Sequence, residues 1–309
     1  MIKIQNLVKR YGELVALDHL NLEIEEGEIF GLLGPNGSGK TTAISCLLAL
    51  LKYDKGTVEV FNKAMMPDNY AAKKQIGVVL QNVAVFEEMN VRENIDYFCG
   101  LYVNNAKERK KLVEEAIRFV GLEDYTRMRP KQLSGGLLRR LNIACGIAHQ
   151  PRLIIMDEPT VAVDPQSRNK ILEGIMELNR RGATVIYTSH YMDEVEQICS
   201  RIAIIDHGRC IAQGTKEELK SMIKTGEKIT IEGVLLKEEN LAEIRQLPHV
   251  FEIAYEDQQL VVRCSGAKHN LVRVLNYLQE HDIAFGRVFS ELPTLNDVFL
   301  EITGKELRD

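Results

Sequence analysis

The sequence predicts an α/β protein: a phosphate-loop core of parallel strands and helices, interrupted by a helical subdomain and followed by a small α+β domain. Three observations predict it. Gly34 to Thr42 reads Gly-Pro-Asn-Gly-Ser-Gly-Lys-Thr-Thr, a full G-x-x-x-x-G-K-[ST] pattern set between a short apolar strand signal, Glu28 to Leu33, and a helix-compatible run, Thr41 to Leu51. Leu153-Ile154-Ile155-Met156 then runs into Asp157-Glu158, the pattern of a buried parallel strand with carboxylates at its C-terminal end. Past Gly226 the chain changes to short alternating strands and helices in the order βαββαβ, which suggests a ferredoxin-like fold.

The phosphate loop carries its own chemistry. Gly34, Gly37 and Gly39 let the backbone approach phosphate oxygens, with Pro35, Asn36 and Ser38 between them, and the helix that follows offers unpaired N–H groups and a favourable dipole. Lys40 supplies charge to the β- and γ-phosphates, Thr41 supplies a hydroxyl for Mg2+, and Thr42 completes the run.

Residues of about 82 to 150 read mostly as helices, including Val91 to Tyr102 and Glu108 to Val120. Within them, Leu133-Ser134-Gly135-Gly136 precedes a helix expected to begin near Leu137, so Ser134, Gly135 and Gly136 form a second anion-binding helix start. Strands and helices alternate again from 151 to about 215, with an apolar strand, Thr184 to Thr188, leading into Ser189-His190. At the Leu153 strand end, Asp157 is placed to hold Mg2+, directly or through water, and Glu158 to polarise an attacking water as general base.

In the last part, Lys228 to Leu235 alternates like a strand and Glu239 to Gln246 like a helix. Phe251 to Tyr255 and Leu260 to Cys264 read as a hairpin across Glu256-Asp257-Gln258, Asn270 to Glu280 as a helix and Ile283 to Phe289 as a strand. A final helix is expected from Thr294, with Asp297 completing a capping box, to Gly304. The organisation is thus 1–220 for the nucleotide-binding domain and 226–309 for an accessory or dimerisation domain.

Composition narrows the class. The 309 residues are 45% hydrophobic, enough for substantial cores, and the net charge is −5. Residues 226–309 hold 15 acidic against 9 basic residues, leaving 29 acidic against 30 basic before them, so neither part has the positive excess that nucleic acid binding requires. The six cysteines are far apart and form no C-x-x-C pair, which points to reduced cytosolic thiols and away from metal sites or disulfides. The N-terminus has no apolar signal core, and the apolar runs fall far short of the roughly eighteen residues needed to cross a bilayer. A soluble protein is expected, with any membrane-spanning subunit on a separate chain.

These motifs, in this order, resemble the ATP-binding cassette (ABC) ATPases, a class of P-loop NTPase, over about residues 1 to 220. Leu133-Ser134-Gly135-Gly136 looks like the family signature, Tyr11 like the aromatic that stacks on adenine, and Gln81 like the glutamine that senses Mg2+ and the attacking water. His190 is similar to the switch histidine at the γ-phosphate, and Asp164 to the D-loop aspartate. The resemblance implies an ATP hydrolase in which two copies, or one copy and a second ABC ATPase, pack head to tail. Each Mg2+-ATP then lies between the phosphate loop of one subunit and Ser134, Gly135 and Gly136 of the other. Position 137 is Leu where many members carry Gln, and the D-loop reads Val161-Ala162-Val163-Asp164 where Ser/Gly-x-Leu-Asp is commoner; neither departure removes a phosphate ligand, the metal ligand or the base. The groove around Val85, Phe86, Met89 and Tyr97 is where family members receive a coupling helix, though such residues are also ordinary core in helical subdomains.

The tail, Leu292-Pro293-Thr294-Leu295-Asn296-Asp297-Val298-Phe299-Leu300, resembles that of ATPases driving ABC-2 exporters, the daunorubicin-resistance group. That resemblance implies separate six-helix permease partners, a place at the cytoplasmic face of the membrane, and a hydrophobic antibiotic, toxin or lipid as cargo. Two other classes fit the chain less well. ABC ATPases acting on DNA or ribosomes carry long coiled-coil insertions or two cassettes in one chain, and this chain has neither. A degenerate, non-hydrolysing scaffold is opposed by the retained Lys40, Asp157, Glu158 and His190.

Overall fold

The computed structural model describes residues 1–304, which form two compact units dividing between Thr215 and Lys216. The last residues of the expected second domain, 305–309, lie outside the described residues.

The first unit opens with β1 (Ile2–Tyr11), β2 (Leu14–Ile24), β3 (Ile29–Leu33), α1 (Lys40–Leu47), β4 (Lys55–Val60), β5 (Lys63–Ala64), α2 (Tyr70–Lys73) and β6 (Ile76–Val79). Helices α3 (Val91–Gly100), α4 (Ala106–Val120) and α5 (Gly135–Ile147) follow. Then come β7 (Leu153–Asp157), α6 (Pro165–Arg180), β8 (Thr184–Ser189), α7 (Met192–Ile198), β9 (Arg201–Asp206) and β10 (Arg209–Gly214). The strands make a six-stranded sheet in the order β10-β9-β3-β8-β7-β6 and a four-stranded sheet in the order β2-β1-β4-β5. In the larger sheet β9, β3, β8, β7 and β6 run parallel and only β10 is antiparallel.

Every residue of β3, β7 and β8 is buried, as expected of parallel strands covered on both faces. Phe30, Leu32, Ile155, Ile186 and Ile205 share one core with Ile44 and Leu47 of α1 and with the inward residues of β1, β2 and β4. Each such side chain contributes about 1.5–3 kcal/mol by leaving water, so the sheet is a rigid base for the loops at its ends. The strand order matters to function because the C-terminal ends of β3, β8, β7 and β6 lie side by side. The chain leaves those ends at Gly34, His190, Glu158 and Leu80, where open α/β sheets gather ligands.

Several helix limits differ from the sequence expectation: α3 stops two residues earlier and α4 starts two residues earlier, and the two helices that follow glycine-rich motifs differ for identifiable reasons. Helix α1 ends at Leu47 rather than Leu51, because Ala49 takes a positive φ of 51° that no helix continues through. Helix α5 begins at Gly135, not near Leu137. Ser134 caps it by accepting a hydrogen bond from Leu137 N, and two glycines of low helix propensity hid this first turn.

The second unit contains α8 (Lys216–Ser221), β11 (Thr225–Glu232), α9 (Glu238–Gln246), β12 (Val250–Glu256), β13 (Gln259–Ser265), α10 (Asn270–Glu280), β14 (Val288–Glu291) and α11 (Leu295–Thr303). Its antiparallel sheet has the order β12-β13-β11-β14, which is the βαββαβ topology with the first and third strands central. Ile229, Ile231, Leu260, Val262 and Cys264 line the sheet face that packs on Ile244, Val274 and Leu278. The last strand lies at Val288–Glu291 rather than over Ile283 to Phe289. Asp282 turns the chain with φ 53°, and Gly286 N then donates to Glu232 O at 2.7 Å, so the apolar Ile283 packs on the core without joining the sheet. Thr294 and Asp297 form the capping box of α11, which stops at Gly304 with φ 68°.

Candidate functional site

The phosphate loop is a tight turn because its glycines leave no room for side chains. A Cβ on Gly34 would lie 2.2 Å from Ile205 O, and one on Gly39, whose φ is 109°, would lie 2.8 Å from Ala16 O. Lys40, almost fully buried, donates from Nζ to Gly34 O at 2.7 Å and Pro35 O at 3.1 Å, arching over its own loop. Burial holds its pKa below the usual lysine value, opposed by the carboxylates of Glu158 and Asp157. Ser38 Oγ is buried there with no hydrogen-bond partner.

Sheet register delivers the acidic residues. Asp157 and Thr188 are cross-strand partners of β7 and β8, and Thr188 Oγ1 donates to Asp157 Oδ1 at 2.6 Å. The other oxygen, Oδ2, accepts from Thr41 Oγ1 at 3.0 Å, so the first turn of α1 and the end of β7 meet at one carboxylate. Glu158 follows with φ 46°, a left-handed conformation costing about 1 kcal/mol or more for a non-glycine residue. Its N–H is held by Thr188 through both Oγ1 at 2.9 Å and the carbonyl at 3.2 Å.

Three residues from separate elements converge on the Glu158 carboxylate. Gln81 Nε2 donates to Oε2 at 3.1 Å, His190 Nδ1 lies 3.3 Å from Oε1, and Lys40 Nζ lies 3.7 Å from the same oxygen. A carboxylate at 6% exposure with a cation and two polar partners is neither a solvated turn nor an orphan charge. Its geometry suits a group that takes a proton from a water held in front of it.

Arg139 is a structural member of the site whose part the sequence did not reveal. Buried in α5 one turn after the signature, it donates to five main-chain carbonyls. Nη1 reaches Leu80 O and Gln81 O, both at 2.8 Å, while Nη2 reaches Asp157 O at 3.3 Å and Glu158 O at 2.8 Å, and Nε reaches Pro159 O at 2.7 Å. One planar guanidinium thereby fixes the Gln81 loop against the exit of β7. Burial lowers its pKa, with Asp157 opposing. Its partners are carbonyls, which no residue pattern displays.

A cavity of about 400 Å³ sits over the loop, lined by Tyr11, Asn36, Lys40, Thr41, Gln81 and Glu158 among others. Tyr11 is half exposed at its edge, with Lys9 Nζ 5.0 Å from the ring centroid. His207 and Gly208 of the β9–β10 turn also line it; Gly208 N bonds Ser38 O at 2.9 Å, and a Cβ there would lie 2.5 Å from Ala16 O. The His-Gly pair between two strand signals was the available hint of that turn.

Ser134, Gly135 and Gly136 do not line this cavity. Gly136 packs instead on the start of α6: a Cβ there would lie 2.5 Å from Ser167 Oγ and 3.0 Å from Asp164 Oδ2. Asp164 caps α6 by accepting from Ser167 N at 2.9 Å, and that backbone bond holds its carboxyl below the usual range. The signature and the D-loop aspartate therefore form one surface, separate from the loop that would grip the phosphates.

Thr41 and Asp157 offer two hard oxygens 3.0 Å apart beside the phosphate loop, and no group of three or more His, Cys, Asp or Glu side chains able to hold a metal occurs among the described residues. That donor set fits Mg2+, which takes one or two protein oxygens and fills its remaining positions with phosphate and water. Among the described residues, no helix is long and apolar enough to cross a membrane.

Both units of the chain are similar to known proteins. The family model for ABC transporters matches residues 17–161, and that for the C-terminal domain of DrrA1-3-like ATP-binding proteins matches residues 214–303. The chain is 40% identical to the linearmycin resistance ATP-binding protein LnrL of Bacillus subtilis (strain 168), over 100% of both chains. It is 35% identical to the daunorubicin resistance ATP-binding protein DrrA3 of Streptomyces coeruleorubidus, over 99% of this chain and 97% of that one. Among solved structures, a dimeric ATP-binding cassette in a post-hydrolysis state with ADP and Pi aligns with a TM-score of 0.64 at 30% identity, covering 70% of this chain and 98% of its own.

Proposed function

Since this chain belongs to the ABC transporter ATP-binding proteins, whose ATP hydrolysis is coupled to transport, we propose that it works as one of two facing motor subunits beneath a separate ABC-2 permease, at the cytoplasmic side of the membrane. Its cargo is an amphipathic antibiotic, toxin or lipid. Full-length similarity to two resistance proteins, in both domains, supports the exporter class and the cargo class.

The observation that carries the mechanism is the convergence of Lys40, Gln81 and His190 on Glu158 while the signature stays outside the cavity. Tyr11 stacks on the adenine. The N–H groups of Gly34 to Thr42 and the Lys40 ammonium hold the β- and γ-phosphates, with Lys40 exchanging the loop carbonyls for phosphate oxygens. Thr41, Asp157 and the amide oxygen of Gln81 would hold Mg2+, which would neutralise charge on the phosphoryl oxygens. Glu158 accepts the proton of the attacking water, and His190 contacts the γ-phosphate and aligns Glu158. Ser134, Gly135 and Gly136 of the partner close the site over the γ-phosphate, so ATP joins the two chains and its cleavage releases them.

The test is Mg2+-dependent hydrolysis by the wild type and by Glu158→Gln, reconstituted with the permease, with subunit association measured in parallel. The reading predicts turnover only in the wild type and an ATP-dependent dimer that persists in Glu158→Gln. A Glu158→Gln variant that turns over at the wild-type rate would remove Glu158 from its role.

A further inference from the structure

We propose that Glu194 is a positioning residue that ties the D-loop helix to the switch histidine, so that movement at the facing-subunit surface reaches His190 through one buried carboxylate; this rests on the assignment of His190 and Glu158 above. Glu194, in the first turn of α7, is only 3% exposed. A buried carboxylate is costly unless its oxygens are compensated, and here the compensating groups come from three pieces of the site: the end of β8, the loop after β7 and α6. Oε2 accepts from Tyr187 Oη at 2.6 Å, Thr160 Oγ1 at 2.8 Å and Ser189 Oγ at 3.1 Å. Oε1 faces Arg168 Nε at 3.2 Å, an ion-pair contact rather than an aligned hydrogen bond.

These partners form two routes to His190. Ser189 Oγ, while donating to Glu194, accepts from Tyr191 N at 2.9 Å, so the backbone on both sides of His190 is pinned by one hydroxyl. Arg168 lies with its guanidinium carbon 4.7 Å from the Tyr191 ring centroid, and that ring packs on the His190 ring at 4.1 Å. Arg168 is also one helical turn beyond Asp164, the cap of α6, and Arg168 N bonds Asp164 O at 2.9 Å. Thr160 leads into Val161-Ala162-Val163-Asp164, where Ala162 is held at φ 58°. A shift of the D-loop therefore moves Arg168 and Thr160, the Glu194 carboxylate follows, and the His190 ring is re-aimed at Glu158 Oε1, 3.3 Å away. Burial and the neighbouring Glu194 charge push the Tyr187 phenol pKa far up, so it stays a hydrogen-bond donor throughout.

The experiment compares Glu194→Gln, His190→Ala and the double variant in single-turnover hydrolysis followed over hours, with ATP affinity and thermal stability measured for each. Glu194→Gln keeps the shape and size and removes the charge. The expected result is a fall in turnover of about ten- to hundredfold, ATP affinity within about threefold of wild type, and less than about a twofold further fall when Glu194→Gln is added to His190→Ala, because residues acting through one another are non-additive. Ser189→Ala, which leaves the Arg168 pair intact, should give a partial loss that is likewise absent in the His190→Ala background. Equal fold-losses from Glu194→Gln with and without His190, or losses that track thermal stability alone, would overturn the proposal. Wild-type turnover unaffected by Glu158→Gln would instead overturn the underlying site assignment.

Discussion

At the residue scale, Lys40 and His190 touch the same carboxylate oxygen yet predict different losses. Lys40 is the group whose charge must meet phosphate, and it sits in the first turn of α1 with its ammonium on the loop carbonyls. Lys40→Ala should therefore weaken ATP binding by about 1.5–3 kcal/mol, the usual worth of a hydrogen bond to a charged group. His190→Ala should leave ATP affinity within about threefold and lower turnover by about a hundredfold or more, since its contact is to the general base. Equilibrium titration with fluorescent ATP and single-turnover hydrolysis separate the two; parallel losses of affinity would contradict the assignment. Lys40, Thr41, Asp157 and Glu158 stood out in the sequence by their offset from a glycine pattern or a strand end, whereas Gln81 and His190 were picked out only through the family resemblance. Arg139 and Glu194 were not, because a buried ionic residue announces itself only through its partners, and those lie 18 to 59 and 5 to 34 residues away in the chain.

At the element scale, strand register explains why these residues meet. The pairing of Asp157 with Thr188 and of Leu33 with Ser189 brings the ends of β3, β7 and β8 level, so the three loops leaving them share one floor. Helix α5 then clamps the floor from the side: Arg139 at its start holds the β6 and β7 exits, and His149, just past its end, lies 3.3 Å from Ile76 O with its ring stacked on Tyr102 at 3.9 Å. Burial lowers the His149 pKa to about 4, against a backbone hydrogen bond that raises it. In the folded protein the ring thus stays neutral where the unfolded chain, near 6.5, takes up a proton. Stability is unaffected above pH 6.5 and is lost as the pH falls from about 6.5 to 4, by up to about 3 kcal/mol. Urea unfolding at pH 7, 5.5 and 4.5 should show that slope in the wild type and a shallower one in His149→Gln; identical slopes would refute the burial argument. Element boundaries were the less legible part of the fold. Gly135 and Gly136 concealed a helix start, Ala49 cut a helix whose pattern continued, and Ile283 looked like a strand residue while packing from a loop.

At the scale of the whole molecule, the phosphate loop and the signature occupy different surfaces of one chain, and both are built: one as a cavity of about 400 Å³, the other as a capped helix start locked against Asp164 and Ser167. ABC ATPases act as dimers with separate permeases, and a dimeric cassette is among the solved structures this chain resembles. In the proposed function each hydrolytic site is shared between two chains. Mixing two inactive variants distinguishes a shared site from one built within a single chain. Lys40→Ala spoils the phosphate loop and leaves the signature, whereas Ser134→Arg does the reverse. Each alone should be inactive, and an equimolar mixture should recover about a quarter of the wild-type rate, because half of the pairs are mixed and each mixed pair has one intact site of two. Ser134→Arg turning over at the wild-type rate on its own, or a mixture no faster than its separate components, would contradict a shared site.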